Sequence, residues 1–218
     1  MRGGLILFDF DYTLFDASGC LFPALRAGLR AVGLVSPPDL TLRRLIGIPL
    51  HQQFETFCRN RDPRVYEVFQ NAYVKERVMR EMEGTLPLPG VIPALATLKT
   101  RGFHLGVVST GASKRILRAL GRYKALLYFE EQAVIGGADN KTEAIRLAIN
   151  RFRAKAQDTL YVGDRPEDQA ASADAGVPFI GVTTGAFSDK DFPGDCVVLG
   201  SVAVLPQYLE TTASAVTS

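Results

Sequence analysis

The alternation of helical and strand-like segments from Gly90 to about Leu199 most constrains the fold of this chain. Apolar runs predict strands at 104–109, 132–135, 159–162, 178–182 and 196–199. Helical patterns lie between them, at about 93–100, 113–120, 141–153 and 166–175. Strands joined through helices form parallel sheets by right-handed crossovers, so the sequence predicts an α/β fold with a doubly wound, Rossmann-like parallel sheet. The residues after Tyr208 are small and polar and predict a loose tail.

The first predicted strand, the apolar run Leu5-Ile6-Leu7-Phe8, is separated from the second by almost a hundred residues of helical pattern. Helices are predicted at about 21–32, 40–46, 50–57 and from 63 onward, the last capped by Asp62. On that last helix one apolar stripe is predicted, made of Val65, Val68, Phe69, Ala72, Met79 and Met82. The economical interpretation is a helical cap subdomain at 17–85, inserted into a core formed by 1–16 and 86–218.

Composition narrows the possible partners and compartment. The chain has 218 residues, 47% of them hydrophobic and 22% charged, which suits a globular core with one insertion. A net charge of +2 without long basic runs argues against nucleic acid as a partner. The opening residues resemble neither a secretory signal nor a membrane span, and the three scattered cysteines suggest reduced thiols. We therefore expect a cytoplasmic protein without membrane contact, either a monomer or a homodimer.

Polar residues follow three of the predicted strands. Asp9 and Asp11 come after the first, Ser109 ends the second and is followed by Thr110, and Asp164 comes after the strand at 159–162, while Lys141 opens a helix. In open parallel sheets, ligands bind outside the carboxyl ends of the strands, so these side chains should converge on one rim. Taken singly, Lys141 reads as a solvated helix start and Ser109 as a helix cap. Their joint placement favours a site.

These residue types suit a phosphate ester as substrate. The Asp9 carboxylate can attack phosphorus and carry the phosphoryl group, and Asp11 can protonate the leaving alcohol and later take a proton from water. Lys141 offers a positive charge to the phosphoryl oxygens, and Ser109 a hydroxyl donor.

So much negative charge requires a hard divalent cation with oxygen ligands, for which Mg²⁺ is the expected choice. The predicted ligands are Asp9, Asp11, Asp164 and Asp168. Asp168 could instead bind through water or orient Lys141, or be only an acid in a first helical turn. The predicted substrate contacts are Thr13, Thr110, Gly111, Arg44 and His51; for Arg44 a solvated helix face, and for His51 a structural role, remain alternatives.

In its order of short motifs the chain resembles the haloacid dehalogenase superfamily. The first motif, DxDxT after an apolar run, matches Asp9 to Thr13. The second, a strand ending in Ser or Thr, matches Val107-Val108-Ser109, and the third, a Lys opening a helix, matches Lys141. The fourth, GDxxxD, matches Gly163 to Asp168. The first and fourth motifs are specific, whereas the second and third are weak.

This resemblance implies a Rossmann-like core with a helical cap that closes over the substrate, and catalysis through an aspartyl phosphate with Mg²⁺. The cap resembles that of the phosphoglycolate-phosphatase-like branch, so the implied partner is a small phosphorylated metabolite. Thr110 stands where many relatives have Asn, and Thr142 where many have Pro. Both departures concern the substrate rather than the catalytic groups.

Other functions fit parts of the pattern. A phosphoryl transferase of the sugar-phosphate mutase type would use the same core. A dehalogenase needs no acid at the second position, so Asp11 argues against it. A phospho-accepting signalling domain typically carries an adjacent acid pair and no such helical insertion. A binding-only descendant remains an alternative, although every catalytic residue type is retained.

Overall fold

The structure is a computed structural model that describes residues 3–60 and 62–215. The stretch Asp16–Leu86 forms one compact unit, and the described residues before and after it form another. We call these the helical unit and the core unit. Two short paired strands, β2 and β3, lie where the chain passes from one unit to the other. They span Phe15–Asp16 and Leu86–Pro87.

The core unit is built on a six-stranded sheet with the order β5-β4-β1-β6-β7-β8, in which the described pairings are parallel. Its strands are β1 (Leu5–Phe8), β4 (His104–Val108), β5 (Val134–Ile135), β6 (Thr159–Gly163), β7 (Phe179–Val182) and β8 (Val197–Leu199). The chain moves outward from β1 through β4 to β5, and then returns to β6 on the other side of β1. Strand order therefore reverses around β1, where the rule for open sheets places ligands.

Five helices cover the two faces of this sheet. They are α5 (Val91–Thr100), α6 (Ser113–Arg122), α7 (Lys141–Phe152), α8 (Pro166–Asp174) and α9 (Leu205–Ala215). Successive strand residues point to opposite faces, so Ile6 and Phe8 pack with α5, α6 and α9, whereas Leu5 and Leu7 pack with α7 and α8. The predicted doubly wound parallel sheet is confirmed. The prediction of a loose tail after Tyr208 is wrong as far as residue 215, because α9 continues to Ala215. Residues 216–218 of that predicted tail lie outside the described residues.

The helical unit contains α1 (Ser18–Ala31), α2 (Asp39–Leu45), α3 (Leu50–Phe57) and α4 (Pro63–Arg80). α4 packs on α1 where Gly28 allows close approach, since a Cβ there would lie 2.7 Å from the ring of Phe69. Rings of α3 and α4 continue this contact, with the Phe54 and Phe69 centroids 4.9 Å apart. Among the helices that the structure describes, none combines the length and apolar character needed for a membrane span.

The predicted apolar stripe on α4 is wrong. Phe69 is buried together with Tyr73, but Val68, Met79 and Met82 are 48%, 70% and 50% exposed. The helix is held through aromatic stacking on one short stretch of its surface, which the spacing of aliphatic residues does not reveal.

Candidate active site

β1 ends at Phe8, so Asp9 lies at the carboxyl edge of the sheet. Its backbone N–H donates to the carbonyl of Val162 at 2.9 Å, which fixes the residue beside the end of β6. The side chain is 1% exposed, and no described residue donates a hydrogen bond to either of its carboxylate oxygens. The Lys141 Nζ lies 3.2 Å from Oδ1. A buried carboxylate with so few partners is costly unless a ligand or a cation supplies them.

Asp9, Asp164 and Asp168 form a carboxylate cluster. One oxygen of each lies within 4.8 Å of the others, and all three residues are buried. Asp164 Oδ1 accepts a hydrogen bond from the Thr13 hydroxyl at 3.2 Å, and Asp168 Oδ2 accepts one from the Arg165 backbone N–H at 3.2 Å. Three hard oxygen donors in one small volume suit a divalent cation such as Mg²⁺.

Two glycines make room for the carboxylates of this cluster, because a side chain at either position would collide with them. A Cβ at Gly185, in the loop after β7, would lie 1.9 Å from Asp164 Oδ2. A Cβ at Gly163, the last residue of β6, would lie 2.4 Å from Asp168 Oδ2. Neither glycine has a positive φ, so close approach to the carboxylates is what these positions require.

Burial and mutual repulsion dominate the electrostatics of the cluster. Burial raises the pKa of Asp164 well above its ordinary value, and the charges of Asp168 and Asp9 raise it further. Burial also raises the pKa of Asp168, to about 6, although Lys141 opposes the shift. A bound cation would favour the ionised carboxylates and offset this cost.

Lys141 supplies a positive charge next to the Asp9 carboxylate. It is the first residue of α7, whose N-cap Asn140 accepts a hydrogen bond from the Glu143 N–H at 3.1 Å. Its Nζ donates to Asp168 Oδ1. Burial alone would lower the pKa of Lys141, but the charges of Asp168 and Asp9 outweigh it and raise that pKa well above its ordinary value. The ammonium group therefore stays charged.

Tyr161 connects this ammonium group to β4. Its hydroxyl donates to the Val108 carbonyl at 3.0 Å, and Lys141 interacts with the same hydroxyl. Burial raises the pKa of Tyr161 well above its ordinary value, so the hydroxyl keeps its proton. Because Val108 directly precedes Ser109, this hydrogen bond fixes the end of β4 relative to Lys141.

Ser109 follows β4, which pairs directly with β1 through Phe8 and Val107. The residue is buried, and its Oγ accepts a hydrogen bond from the Gly111 N–H at 3.2 Å. Its own N–H donates to the Ile135 carbonyl at 2.9 Å. Thr110 and Gly111 are partly exposed in the same turn. The hydroxyl therefore sits on the rim that also carries Asp9.

Asp11 occupies different surroundings, although it lies only two residues from Asp9. Its Oδ1 accepts a hydrogen bond from Arg115 Nη1 at 2.8 Å, and its Oδ2 accepts one from Nη2. Both side chains are buried, at 5% and 2% exposure. Burial raises the pKa of Asp11, whereas the guanidinium group opposes that shift. The carboxylate of Asp11 thus lies in an ion pair with α6 rather than in the carboxylate cluster.

Apart from Asp11, which is paired with Arg115, and the turn residues Thr110 and Gly111, the predicted site residues fall into two groups. The core unit brings together Asp9, Ser109, Lys141, Asp164 and Asp168, with Thr13 hydrogen-bonded to one of the carboxylates. Arg44 and His51 belong to the helical unit, where they lie exposed on α2 and α3, and their contact with substrate stays a prediction.

Sequence reasoning missed several residues of the site. Thr184 donates from its hydroxyl to the Tyr12 carbonyl and so ties the loop after β7 to the loop after β1, and Gly185 makes room for Asp164. The rule that polar residues follow strand ends would have found Thr184, because it comes just after a predicted strand. Arg115 carries no such local signal, since a basic residue in a first helical turn is usually solvated.

Comparisons with known proteins identify the family of this chain. The family model described as haloacid dehalogenase-like hydrolase matches residues 6–182. Probable phosphatase IndB of Dickeya dadantii is 31% identical over 194 residues, covering 83% of this chain and 81% of that protein. A phosphoglycolate phosphatase of Mesorhizobium japonicum is 26% identical, covering 87% and 86%.

Two further similarities concern a kinase and a solved structure. The tyrosine-protein kinase PtkA of Mycobacterium tuberculosis is 25% identical over 86% of this chain, which spans 64% of that protein's length. The crystal structure of a haloacid dehalogenase-like hydrolase from Bacteroides fragilis superimposes with a TM-score of 0.85 at 32% identity, covering 93% of this chain and 99% of that one. The chain therefore belongs to the haloacid dehalogenase-like hydrolases.

Proposed function

We propose that this protein is a Mg²⁺-dependent phosphatase that hydrolyses a small phosphate monoester through an aspartyl phosphate on Asp9. The observation that carries the proposal is the state of Asp9, which is buried beside Lys141 while no described side chain or backbone group donates a hydrogen bond to its carboxylate. A carboxylate in that state keeps its lone pairs available for attack on phosphorus.

In the first step an oxygen of Asp9 forms a bond to phosphorus while the bond from phosphorus to the alcohol oxygen breaks. Asp11 gives a proton to the departing alcohol oxygen. In the second step Asp11 takes a proton from water as the water oxygen attacks phosphorus, and the bond to Asp9 breaks. Inorganic phosphate is released, and both carboxyl groups return to their starting states.

The remaining groups bind and orient the phosphoryl group. Lys141 and the Ser109 hydroxyl would contact its oxygens, and Tyr161 would keep these two groups in register. Mg²⁺ held by Asp9, Asp164 and Asp168 would neutralise charge on the phosphoryl oxygens. Phosphoglycolate is a suitable first substrate to test, because a relative carries the name phosphoglycolate phosphatase.

The test is release of inorganic phosphate from p-nitrophenyl phosphate and from a panel of alkyl monoesters that includes phosphoglycolate, with Mg²⁺ and with a chelator. We expect turnover only with Mg²⁺, and a loss of at least about a thousandfold in Asp9→Asn, because the amide is nearly isosteric but a poor nucleophile. Asp158→Asn is the matched control, since Asp158 is exposed before the opposite end of β6. Full turnover by Asp9→Asn would eliminate the proposal.

Transfer of the phosphoryl group to an acceptor other than water is the second candidate, as in a mutase or in the relative named as a tyrosine kinase. The same core would form the aspartyl phosphate, so the two candidates differ in the fate of that intermediate. Phosphate release without an added acceptor supports hydrolysis. Cleavage of the ester only when a sugar phosphate or a tyrosine peptide is added, with the phosphorus label recovered in that acceptor, would favour transfer. A protein that binds the monoesters without either outcome would be a binding or signalling module.

A further inference from the structure

The pair between Asp11 and Arg115 occupies both oxygens of the proposed acid. The two N–H groups of the guanidinium fork point at the two carboxylate oxygens, the bidentate arrangement in which such pairs are strongest. To protonate a leaving group, one of these oxygens must carry the proton and reach the alcohol oxygen. In the observed arrangement both oxygens instead accept hydrogen bonds from Arg115.

The surroundings of the pair are fitted to it. A Cβ at Gly111 would lie 2.4 Å from Arg115 Nη2 and 3.2 Å from Asp11 Oδ2, so this position leaves space for the fork. The guanidinium carbon also lies 5.3 Å from the centroid of the Phe10 ring, which stacks on Phe15. A pair that is buried and closely packed is a stable arrangement, unlike an ion pair on the surface. We therefore take it as the state of Asp11 before substrate binds.

We infer that Arg115 is a positioning residue that withholds Asp11 from proton transfer until substrate enters, an inference that rests on the proposed function. The same turn that holds the fork also presents Ser109, whose Oγ accepts from the Gly111 N–H. A phosphoryl group bound there offers the guanidinium a second bidentate partner, because its oxygens match the fork as a carboxylate does. Once released, Asp11 takes a proton from solvent and gives it to the alcohol oxygen as the phosphorus–oxygen bond breaks. The proton that it takes from water in the second step returns to solvent when the pair with Arg115 forms again.

The inference is tested by the dependence of the reaction on the leaving group. p-Nitrophenolate leaves without acid assistance, whereas the alcohol of glycerol phosphate requires it, so the ratio of kcat/KM for glycerol phosphate to that for p-nitrophenyl phosphate reports proton donation by Asp11. Arg115→Lys keeps the charge but replaces the fork with a single point of contact, so the pair opens more easily. We expect this ratio to rise by roughly 3- to 10-fold in Arg115→Lys.

Two variants calibrate that ratio. Asp11→Asn cannot donate a proton, and its ratio should fall. Arg118→Lys, on the exposed face of the same helix, should leave the ratio unchanged. A purely structural role for Arg115 would lower both kcat/KM values together, and a role in orienting Asp11 for catalysis would lower the ratio. An unchanged or lowered ratio in Arg115→Lys therefore overturns the inference.

If Arg115→Lys does not fold, the decision passes to Gly111→Ala, whose added methyl group would displace the guanidinium without removing its charge. A raised ratio in Gly111→Ala supports the inference, and an unchanged or lowered one overturns it. The failure of the proposed function would look different, because the wild-type protein would then release no phosphate from either ester. That result would contradict both proposals. Turnover by the wild type, with the same kcat/KM ratio in the variant as in the wild type, would contradict only this one.

Discussion

Two aspartates of the same short loop, Asp9 and Asp11, are both buried and yet have opposite electrostatic surroundings. Asp9 belongs to a cluster in which three carboxylates face the ammonium group of Lys141, and the described residues leave both its oxygens without a hydrogen bond. Asp11 forms a bidentate ion pair with the guanidinium of Arg115. The contrast teaches that burial alone does not define a reactive acid. Three carboxylates beside one ammonium group carry excess negative charge that a bound cation would neutralise, whereas one carboxylate paired with one guanidinium needs no further charge.

The largest effect on stability is expected where the balanced pair is broken. Arg115→Met leaves the Asp11 carboxylate buried without its partner, and we expect the free energy of unfolding to fall by about 3–5 kcal/mol. The double variant Asp11→Leu with Arg115→Met removes both charges and should recover most of that loss. Urea unfolding measures both values. A loss below about 1 kcal/mol in the single variant, which is typical of exposed pairs, would show that the two acids do not differ as described.

A smaller effect is expected when the carboxylate cluster is distorted without changing its charge. Gly185→Ala would place a methyl group against Asp164 and displace this carboxylate. We expect the affinity for Mg²⁺ and kcat/KM each to fall about 10- to 100-fold, as for groups that orient metal ligands. Gly121→Ala is the control, because beyond its chain neighbours and the backbone of its own helix no atom lies within 4 Å of the Cβ that it adds. Equal activity in the two variants would mean that the position of Asp164 is not critical.

The smallest effect is expected at a third kind of acid, Glu130, which is partly exposed and contacts Lys99 and His104. Its hydrogen bond with Lys99 is the main cause that lowers the pKa of Glu130. A lowered pKa in the folded state contributes stability above the unfolded value, near 4.5, which is lost as the pH falls through the folded value. We expect Glu130→Gln to cost less than about 1 kcal/mol at neutral pH. The difference from wild type should vanish in acid; a constant difference across that range would refute this explanation.

Much of the fold could be predicted because it depends on patterns within short segments. The alternation of apolar strands and helices specifies a parallel sheet, and its strand ends indicate where Asp9, Ser109 and Asp164 meet. The exposure of Met79 and Met82 could not be predicted in this way, because aromatic stacking between α3 and α4 decides which face of α4 is buried. The same reliance on composition missed α9 in a segment rich in small polar residues.

The site was predicted less completely than the fold, for a physical reason. Residue types that follow strands can be recognised one segment at a time, whereas the pairing of Asp11 with Arg115 joins residues 104 positions apart. Nothing in either segment indicates that a buried arginine meets this acid. The backbone also contributes, since Tyr12 has a φ of 60° between Asp11 and Thr13. Such a left-handed conformation is uncommon outside glycine, asparagine and aspartate, and sequence patterns do not indicate it.

Calorimetric titration of the metal-free protein with Mg²⁺ tests most directly whether the charge-deficient cluster is a cation site. For the wild type we predict a single saturable binding event, which Asp164→Asn abolishes or weakens at least about a hundredfold and Asp11→Asn leaves almost unchanged. The ranking of the two variants matters most, because it separates the carboxylate cluster from the ion pair. No binding by the wild type, or equal weakening by both substitutions, would contradict the account.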